Sequence, residues 1–348
     1  MKPVVILKLL KNLNAMDRNN LIFLHVGLGS MGKRRIRNLL HCGISRNKIF
    51  GFDFSENRAD EVAKEYGIKT FNNFERAVAE AKPSALIIST PPNQHHPYFL
   101  FAAKHKINFF VEVTTREDGY DELFPLLDGS FVAAPSCTYR YFPAVKKMKE
   151  VVSSNIIGRP LSFNHYLGQY LPDWHPYEDY RKVYFAQKET GGCREMFPYE
   201  LVWLTDIFGS GVEKTIGIHK KISDLEITAD DLYTTIVKLK NGVFGSVMID
   251  LLNRKASRSL LVVGTSGTLE WNWLGNKIMV YTANDKKEFV IDVPVGEKIG
   301  QYTTSENPYQ EEMGDFLLAL EGKQAFPYTF TEDLSILRGL DFLNNELL

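Results

Sequence analysis

Cysteine is scarce. Cys42, Cys137 and Cys193 are odd in number and far apart. They offer neither a disulfide framework nor a metal-ligand spacing, so a cytoplasmic protein without a bound metal is expected. Long apolar runs are also missing. None approaches the roughly 20 residues that a bilayer span requires, and no membrane partner is expected. An excess of either charge is missing too. A net charge of -1 argues against nucleic acid or an anionic surface as the main partner. There is no internal repeat and no low-complexity tract. The opening stretch "MKPVVILKLLKNLNAMDRNN" lacks the small-residue cleavage site of a signal peptide. Ile6, Leu9, Leu10 and Leu13 fall at helical spacing, and Met16 sits just ahead of the first strand. Residues 1–17 are read as an N-terminal extension.

What is present is enough chain for two domains, at 348 residues. From Leu21 to Val113 short apolar strands ("LIFLHVG", "KIFGFD", "KTF", "SALIIST", "INFFVEV") alternate with amphipathic helices. This is the pattern of βαβ units around a parallel sheet. It stops near Cys137. The chain then turns to strand-like runs at 160–168, 214–221, 232–239, 243–250, 258–263, 267–273, 277–282 and 287–292, with an Asn-Gly hairpin in "LKNGVFGSVMID". A segment rich in Trp, Tyr, Pro and charge interrupts them at 170–210. Two helices, "SENPYQEEMGDFLLALEG" and "TEDLSILRGLDFLNNEL", close the chain. The expected fold class is α/β: a Rossmann doubly wound parallel sheet at 18–138, then an α+β domain with a mostly antiparallel open sheet at 139–348.

The sharpest motif is "HVGLGSMG". Gly27, Gly29 and Gly32 stand as G-x-G-x-x-G between the first strand and its helix, with Ser30 and Met31 inside the loop. The first glycine permits a tight turn, the second lets backbone approach a pyrophosphate, and the third lets helix and strand pack closely. Asp53 ends the second strand about 20 residues on, where a carboxylate can bind the ribose hydroxyls. It would repel a 2′-phosphate, so NAD(H) is favoured. Arg58 nearby leaves NADP(H) open.

"STPPNQHHPYFLFAAKHKINFFVEV", residues 89–113, resembles the TPN-x-x-H…EKP segment of the glucose–fructose oxidoreductase, inositol dehydrogenase and MocA-like (Gfo/Idh/MocA) family. "TYRYFPAVKKMKEVVSSNIIGRPLSF" is similar to that family's Arg-Phe-x-Pro helix and the strand after it. The resemblance spans roughly residues 20–345. It places Thr90, Pro92, Asn93, His96 and Glu112 beside the cofactor. It implies an NAD-dependent enzyme acting on a sugar, sugar acid, cyclitol or nucleotide-linked sugar, and a homo-oligomer formed through the C-terminal sheet.

The resemblance also exposes a departure. The family carries a lysine after the Glu and a histidine in Asp-x-Gly-x-His to move the proton that accompanies hydride transfer. Here Val113 takes the lysine place, Thr114 the following proline, and "EMFPYELV" puts Glu195 at the Asp and Tyr199 at the His. Valine cannot carry a proton. Either the chemistry runs through Tyr199, Glu195 or His175, or the chain is a catalytically silent dinucleotide- or sugar-binding protein. Arg140, Trp174, His175 and Lys182 are the candidate substrate contacts, because an aromatic face beside polar groups suits a sugar.

Overall fold

In the computed structural model residues 16–174, 178–294 and 305–344 are described. The chain divides into two compact units, the first built from residues before Tyr139 plus a later segment ending at Asp333.

The first unit is a six-stranded parallel sheet ordered β3-β2-β1-β4-β5-β6. Its strands are β1 (Phe23–Val26), β2 (Ile49–Phe52), β3 (Lys69–Phe71), β4 (Ala85–Ile88), β5 (Asn108–Val111) and β6 (Ala133–Pro135). The first five match the apolar runs of the sequence. Strand β1, β4 and most of β5 are buried on both faces, as a sheet covered by crossover helices requires. The sixth strand was not anticipated, because its Ala-Ala-Pro lacks the β-branched and aromatic residues that mark a strand. Helices α1 (Ser30–His41), α2 (Glu56–Tyr66), α3 (Phe74–Ala81) and α4 (His96–Lys104) connect the strands. Strand order reverses between β1 and β4, where doubly wound sheets bind ligands.

The second unit carries β7 (Pro160–Gly168), β8 (Val212–Lys220), β9 (Leu232–Leu239), β10 (Phe244–Asp250), β11 (Ser257–Gly264), β12 (Gly267–Asn272), β13 (Lys277–Thr282) and β14 (Lys287–Asp292). They form one sheet ordered β14-β13-β12-β11-β7-β10-β9-β8. Only the β7–β10 pair is parallel among these strands. Helix α5 (Pro143–Ser153) and helix α6 (Cys193–Ile207) belong to this unit. Phe163, His165 and Leu167 on β7 are buried. On the opposite face the register aligns Ile216, Ile236, Ser246, Asn164, Leu261, Glu270, Met279 and Val290 in one row across all the strands. Ile216, Ile236, Met279 and Val290 in that row are exposed.

Two features differ from the sequence reading. Helix α7 (Asn307–Leu320) was placed in a continuous second domain, yet it belongs to the first unit. Two carboxylates hold it there. Glu306 accepts from Arg34 Nε at 3.0 Å and Arg37 Nη2 at 3.1 Å, both on α1. Glu312 lies 2.8 Å from Arg35 Nη2. The last helix was read as one span but divides into α8 (Phe330–Leu337) and a 3-10 stretch, Arg338–Asn344. Gly339 sits at that change. Its carbonyl accepts from Thr215 Oγ1 at 2.7 Å, and a Cβ there would meet Leu201 Cδ1 at 2.6 Å.

Arg35 is fully buried. It donates to Glu112 through Nε at 2.6 Å and Nη2 at 3.0 Å, and its guanidinium lies 4.5 Å from the centre of the Phe110 ring. Burial works against its charge, but Glu112 and Glu312 outweigh burial and raise its pKa further. Removing one member of such a set strands the rest in a dry interior. Arg35→Met is expected to lower unfolding free energy by about 3–5 kcal/mol, measured by urea denaturation. A change under about 1 kcal/mol would mean that the carboxylates relax into water.

Candidate active site

The loop after β1 is shaped by its glycines. Gly27 has φ +87°, and a Cβ there would lie 2.8 Å from the Ser89 carbonyl and 2.9 Å from Thr90 N. A Cβ on Gly32 would lie 2.0 Å from the Gly27 carbonyl. These two positions pack the turn onto β4 and the helix onto the turn. Gly29 has open space where a Cβ would stand and forms the N-cap of α1. Backbone N–H groups of a helix N-terminus are therefore reachable by an anion there. Ser30 is exposed and Met31 half-buried in the first turn.

Asp53 follows β2 and is nearly buried. It accepts from Leu28 N at 2.8 Å and from Ser55 N at 2.9 Å, so the carboxylate is locked to the glycine loop. Arg58 Nη1 stands 3.2 Å from its Oδ2, on a side chain half exposed to water. Thr90 follows β4, Pro92 and Asn93 form a 3-10 turn, and His96 opens α4. His95, not His96, ties this turn down. Its Nε2 pairs with the Thr90 carbonyl at 2.8 Å, and burial lowers its pKa to about 4. The Ser89 and Thr90 hydroxyl oxygens, His96 Nδ1 and the Thr115 hydroxyl are buried without a partner among the described residues. An NAD molecule would supply such partners, so these residues fit the group.

Glu112 is spent differently. Both its oxygens face Arg35, so its carboxylate anchors the end of β5. Val113 is buried, and Thr114 donates to the buried carboxylate of Asp333 at 2.6 Å. Tyr120 and Tyr328 hydroxyls donate to the same carboxylate. The Val-Thr departure after Glu112 thus has a structural use for its threonine.

In the second unit, Glu195 and Tyr199 are four residues apart on α6, which puts them on one face. Glu195 is buried, with Tyr184 donating to Oε1 at 2.8 Å. Oε2 has no partner among the described residues. Burial pushes this carboxyl up to about 8, against the opposing hydrogen bond from Tyr184. Tyr199 meets Tyr139 edge-on, with ring centres 6.0 Å apart. Arg140 donates from Nε to the Val202 carbonyl at 3.1 Å and lies 3.8 Å from Asp206, so it braces α6. Trp174 packs edge-on against Phe185, the neighbour of Tyr184, at 4.4 Å. Lys182 is largely exposed, 3.9 Å from Asp179. His175 lies outside the described residues. The sequence reading missed Arg35 and Tyr184. The first hid in a basic run on α1, the second among many aromatics.

With this geometry in hand, comparison with known proteins decides the family. The model described as "Oxidoreductase family, NAD-binding Rossmann fold" matches residues 22–119. The model of the GFO/IDH/MocA C-terminal domain matches residues 145–270. The chain belongs to the Gfo/Idh/MocA oxidoreductase family. Its first unit is an NAD-binding Rossmann domain. A search of curated proteins returned no match. Solved structures share the fold. An oxidoreductase from Agrobacterium radiobacter in complex with NAD+, L-tartaric acid and magnesium superposes with TM-score 0.81 at 14% identity, covering 93% of this chain and 96% of that one. Levoglucosan dehydrogenase in complex with NADH gives 0.78 at 16%, with coverage of 93% and 96%. The WlbA dehydrogenase from Bordetella pertussis, with NADH and UDP-GlcNAcA, gives 0.75 at 15%, with 93% and 95%. No helix of the described residues is long and apolar enough to cross a membrane, and no group of three His, Cys, Asp or Glu among them could hold a metal ion.

Asp53 bears directly on cofactor choice. Calorimetry is expected to show tighter binding of NADH than of NADPH. Asp53→Ala should narrow the gap by roughly tenfold, since a hydrogen bond to a charged group contributes about 1.5–3 kcal/mol. Equal or stronger NADPH binding by the wild type would overturn the assignment.

Proposed function

We propose that this protein is an NAD(H)-dependent oxidoreductase of a carbohydrate-like alcohol, with its proton handled by Glu195. The observation that carries the reading is a buried carboxyl with one unpartnered oxygen on helix α6. Oxidising an alcohol sends a hydride to the cofactor and releases a proton from oxygen. A positioned acid–base group contributes roughly 10²–10⁴ in rate, and works best when it titrates near the working pH. Glu195, pushed up to about 8 by burial, meets that demand. Val113 does not.

The chain's own residues take defined roles in this reading. The helix α1 N-terminus and the open backbone at Gly29 receive the pyrophosphate, with Ser30 and Met31 beside it. Asp53 accepts from the adenosine ribose hydroxyls. Ser89, Thr90, His96 and Thr115 offer hydrogen bonds to the remainder of the cofactor, and Pro92 and Asn93 shape the turn that carries them. Glu195 accepts the substrate proton at Oε2, and Tyr199, one turn on, orients the same hydroxyl. Trp174 offers an apolar face to a sugar ring. When bound, the nicotinamide supplies the hydride chemistry.

The silent-binder reading rests on Val113 and Tyr199, which stand where the family has its lysine and histidine, and the buried carboxyl at Glu195 weighs against it. The two readings separate by kinetics. With NAD+ and a panel of hexoses, pentoses, cyclitols and sugar acids, alcohol oxidation should rise as pH increases through about 8, where the Glu195 carboxylate forms. Ketone reduction should fall over the same range. Glu195→Gln should lose about two orders of magnitude in kcat, and Tyr199→Phe less. Unchanged kcat in Glu195→Gln would remove Glu195 from the mechanism.

The exposed row on the second sheet supports a second copy of this chain as a partner. Around Ile216 and Ile236 in that row, Ile218, Phe244 and Met248 lie on the same face of β8 and β10 and are exposed too, and clustered apolar surface of this kind marks interaction sites. Light scattering should show an oligomer that Ile236→Glu dissociates. A wild-type monomer at micromolar concentration would rule this out.

A further inference from the structure

Among the described residues Tyr184 is the polar side chain that binds the Glu195 carboxyl, and it is also partly exposed. Its relative exposure is 39%, while Glu195 is 4% exposed. The Tyr184 hydroxyl thus touches a buried carboxyl at 2.8 Å, on a side chain that is itself partly exposed.

Local sequence explains why it stands there. Tyr184 lies in a 3-10 turn, Tyr184–Ala186, that sits against the start of α6. Gly192 N donates to the Phe185 carbonyl at 2.9 Å, and Thr190 Oγ1 donates to the Tyr184 carbonyl at 3.1 Å. A Cβ on Gly191 would lie 2.1 Å from the Phe185 carbonyl. Gly192 has φ +63°, and a Cβ there would lie 2.6 Å from the Asp230 carbonyl. Only glycine at both positions lets the turn close onto the helix. The Gly191-Gly192 pair therefore sets the Tyr184–Glu195 contact, and Phe185 and Trp174 pack beside it.

From this contact we infer that Tyr184 is the proton relay between Glu195 and solvent, and the residue that positions the Glu195 carboxyl. The inference rests on the proposed role of Glu195. During alcohol oxidation the substrate O–H bond breaks and its proton joins Glu195 Oε2. The carboxyl group then turns to bring this same proton to the Tyr184 side, and it passes to the Tyr184 oxygen as the Tyr184 hydroxyl proton leaves to water, which restores the carboxylate. The net change is one proton moved from substrate to solvent, with Glu195 and Tyr184 unchanged. In ketone reduction each transfer runs backwards. Tyr184 touches the carboxyl and not the reacting carbon, so it is a positioning and relay residue. The hydroxyl also stabilises the carboxylate, since it donates to the charged form.

Infrared spectroscopy of the full chain without added substrate tests this. The wild-type minus Glu195→Gln difference isolates the Glu195 carboxyl band. Two readings are taken for wild type, Tyr184→Phe and Tyr184→His, with near-ultraviolet circular dichroism to confirm folding. The first is the pH midpoint of the band. It should rise by roughly one unit or more in Tyr184→Phe, because a hydrogen bond to the charged form is lost. The second is the rate at which the band shifts after mixing from H₂O into D₂O. It should slow tenfold or more in Tyr184→Phe and recover in Tyr184→His or with added imidazole. An unchanged exchange rate in a folded Tyr184→Phe protein overturns the relay, and an unchanged midpoint overturns the positioning role. Neither reading needs turnover, so loss of all sugar activity would refute the proposed function while leaving this test decisive.

Discussion

A guanidinium with no water around it ties the first unit together. Arg35 of α1 reaches the end of β5 through Glu112 and helix α7 through Glu312. Glu312 also accepts from Ser136 Oγ and Cys137 N, just past β6, and from Thr138. One cation therefore joins a helix, two strand ends and a segment 277 residues further along the chain. Two carboxylates against one guanidinium leave an excess of negative charge. Burial accordingly raises the Glu312 carboxyl, and Glu112 adds to it, while Arg35 and the hydroxyl donors oppose the rise. Helix α1 is the same helix whose N-terminus faces the glycine loop. Its placement, and with it the cofactor cradle, depends on this buried set.

The second unit uses a parallel device at Glu200. That carboxylate is fully buried and takes Arg258 Nη2 at 3.0 Å, His165 Nε2 at 2.8 Å and Trp203 Nε1 at 2.9 Å. Burial would raise its pKa, but Arg258 and the His165 contact outweigh burial and hold it low. Glu195, five residues earlier on the same helix, is paired with no cation among the described residues and stays raised. Two glutamates on α6 thus diverge by environment alone. One fixes the helix to β7 and β11, and the other is held by the Tyr184 hydroxyl. Divergent environments of this kind separate structural from acid–base roles.

The sheets were legible in the sequence because burial writes a period into it. The β1 to β5 runs and all eight strands of the second sheet were read within a few residues. Gly27 and Gly32 were legible because a positive φ and a close approach each demand glycine at a fixed spacing. The buried charges were not. Arg35, Glu306 and Glu312 look in sequence like any solvated helix face, and their partners lie far off along the chain. Helix α7 was assigned to the wrong domain for that reason. Tyr184 was hidden similarly, since its value comes from the Gly191-Gly192 turn that brings it against α6. Arg140 was legible only as a residue of the Arg-Phe-x-Pro-like helix, and its partner was not legible. Its place in a family-like helix drew attention, yet its guanidinium serves the Val202 carbonyl.

The central claim is that a chain lacking the family's lysine still transfers hydride. Cofactor deuterated at the nicotinamide C4 position, incubated with a panel of ketoses, keto-cyclitols and keto-sugar acids, tests it most directly. Mass spectrometry should find the deuterium on carbon in at least one product, with Glu195→Gln slowing its appearance. Tight NADH binding without deuterium transfer to any member of the panel would contradict the account and leave a dinucleotide-binding protein on an enzyme's fold.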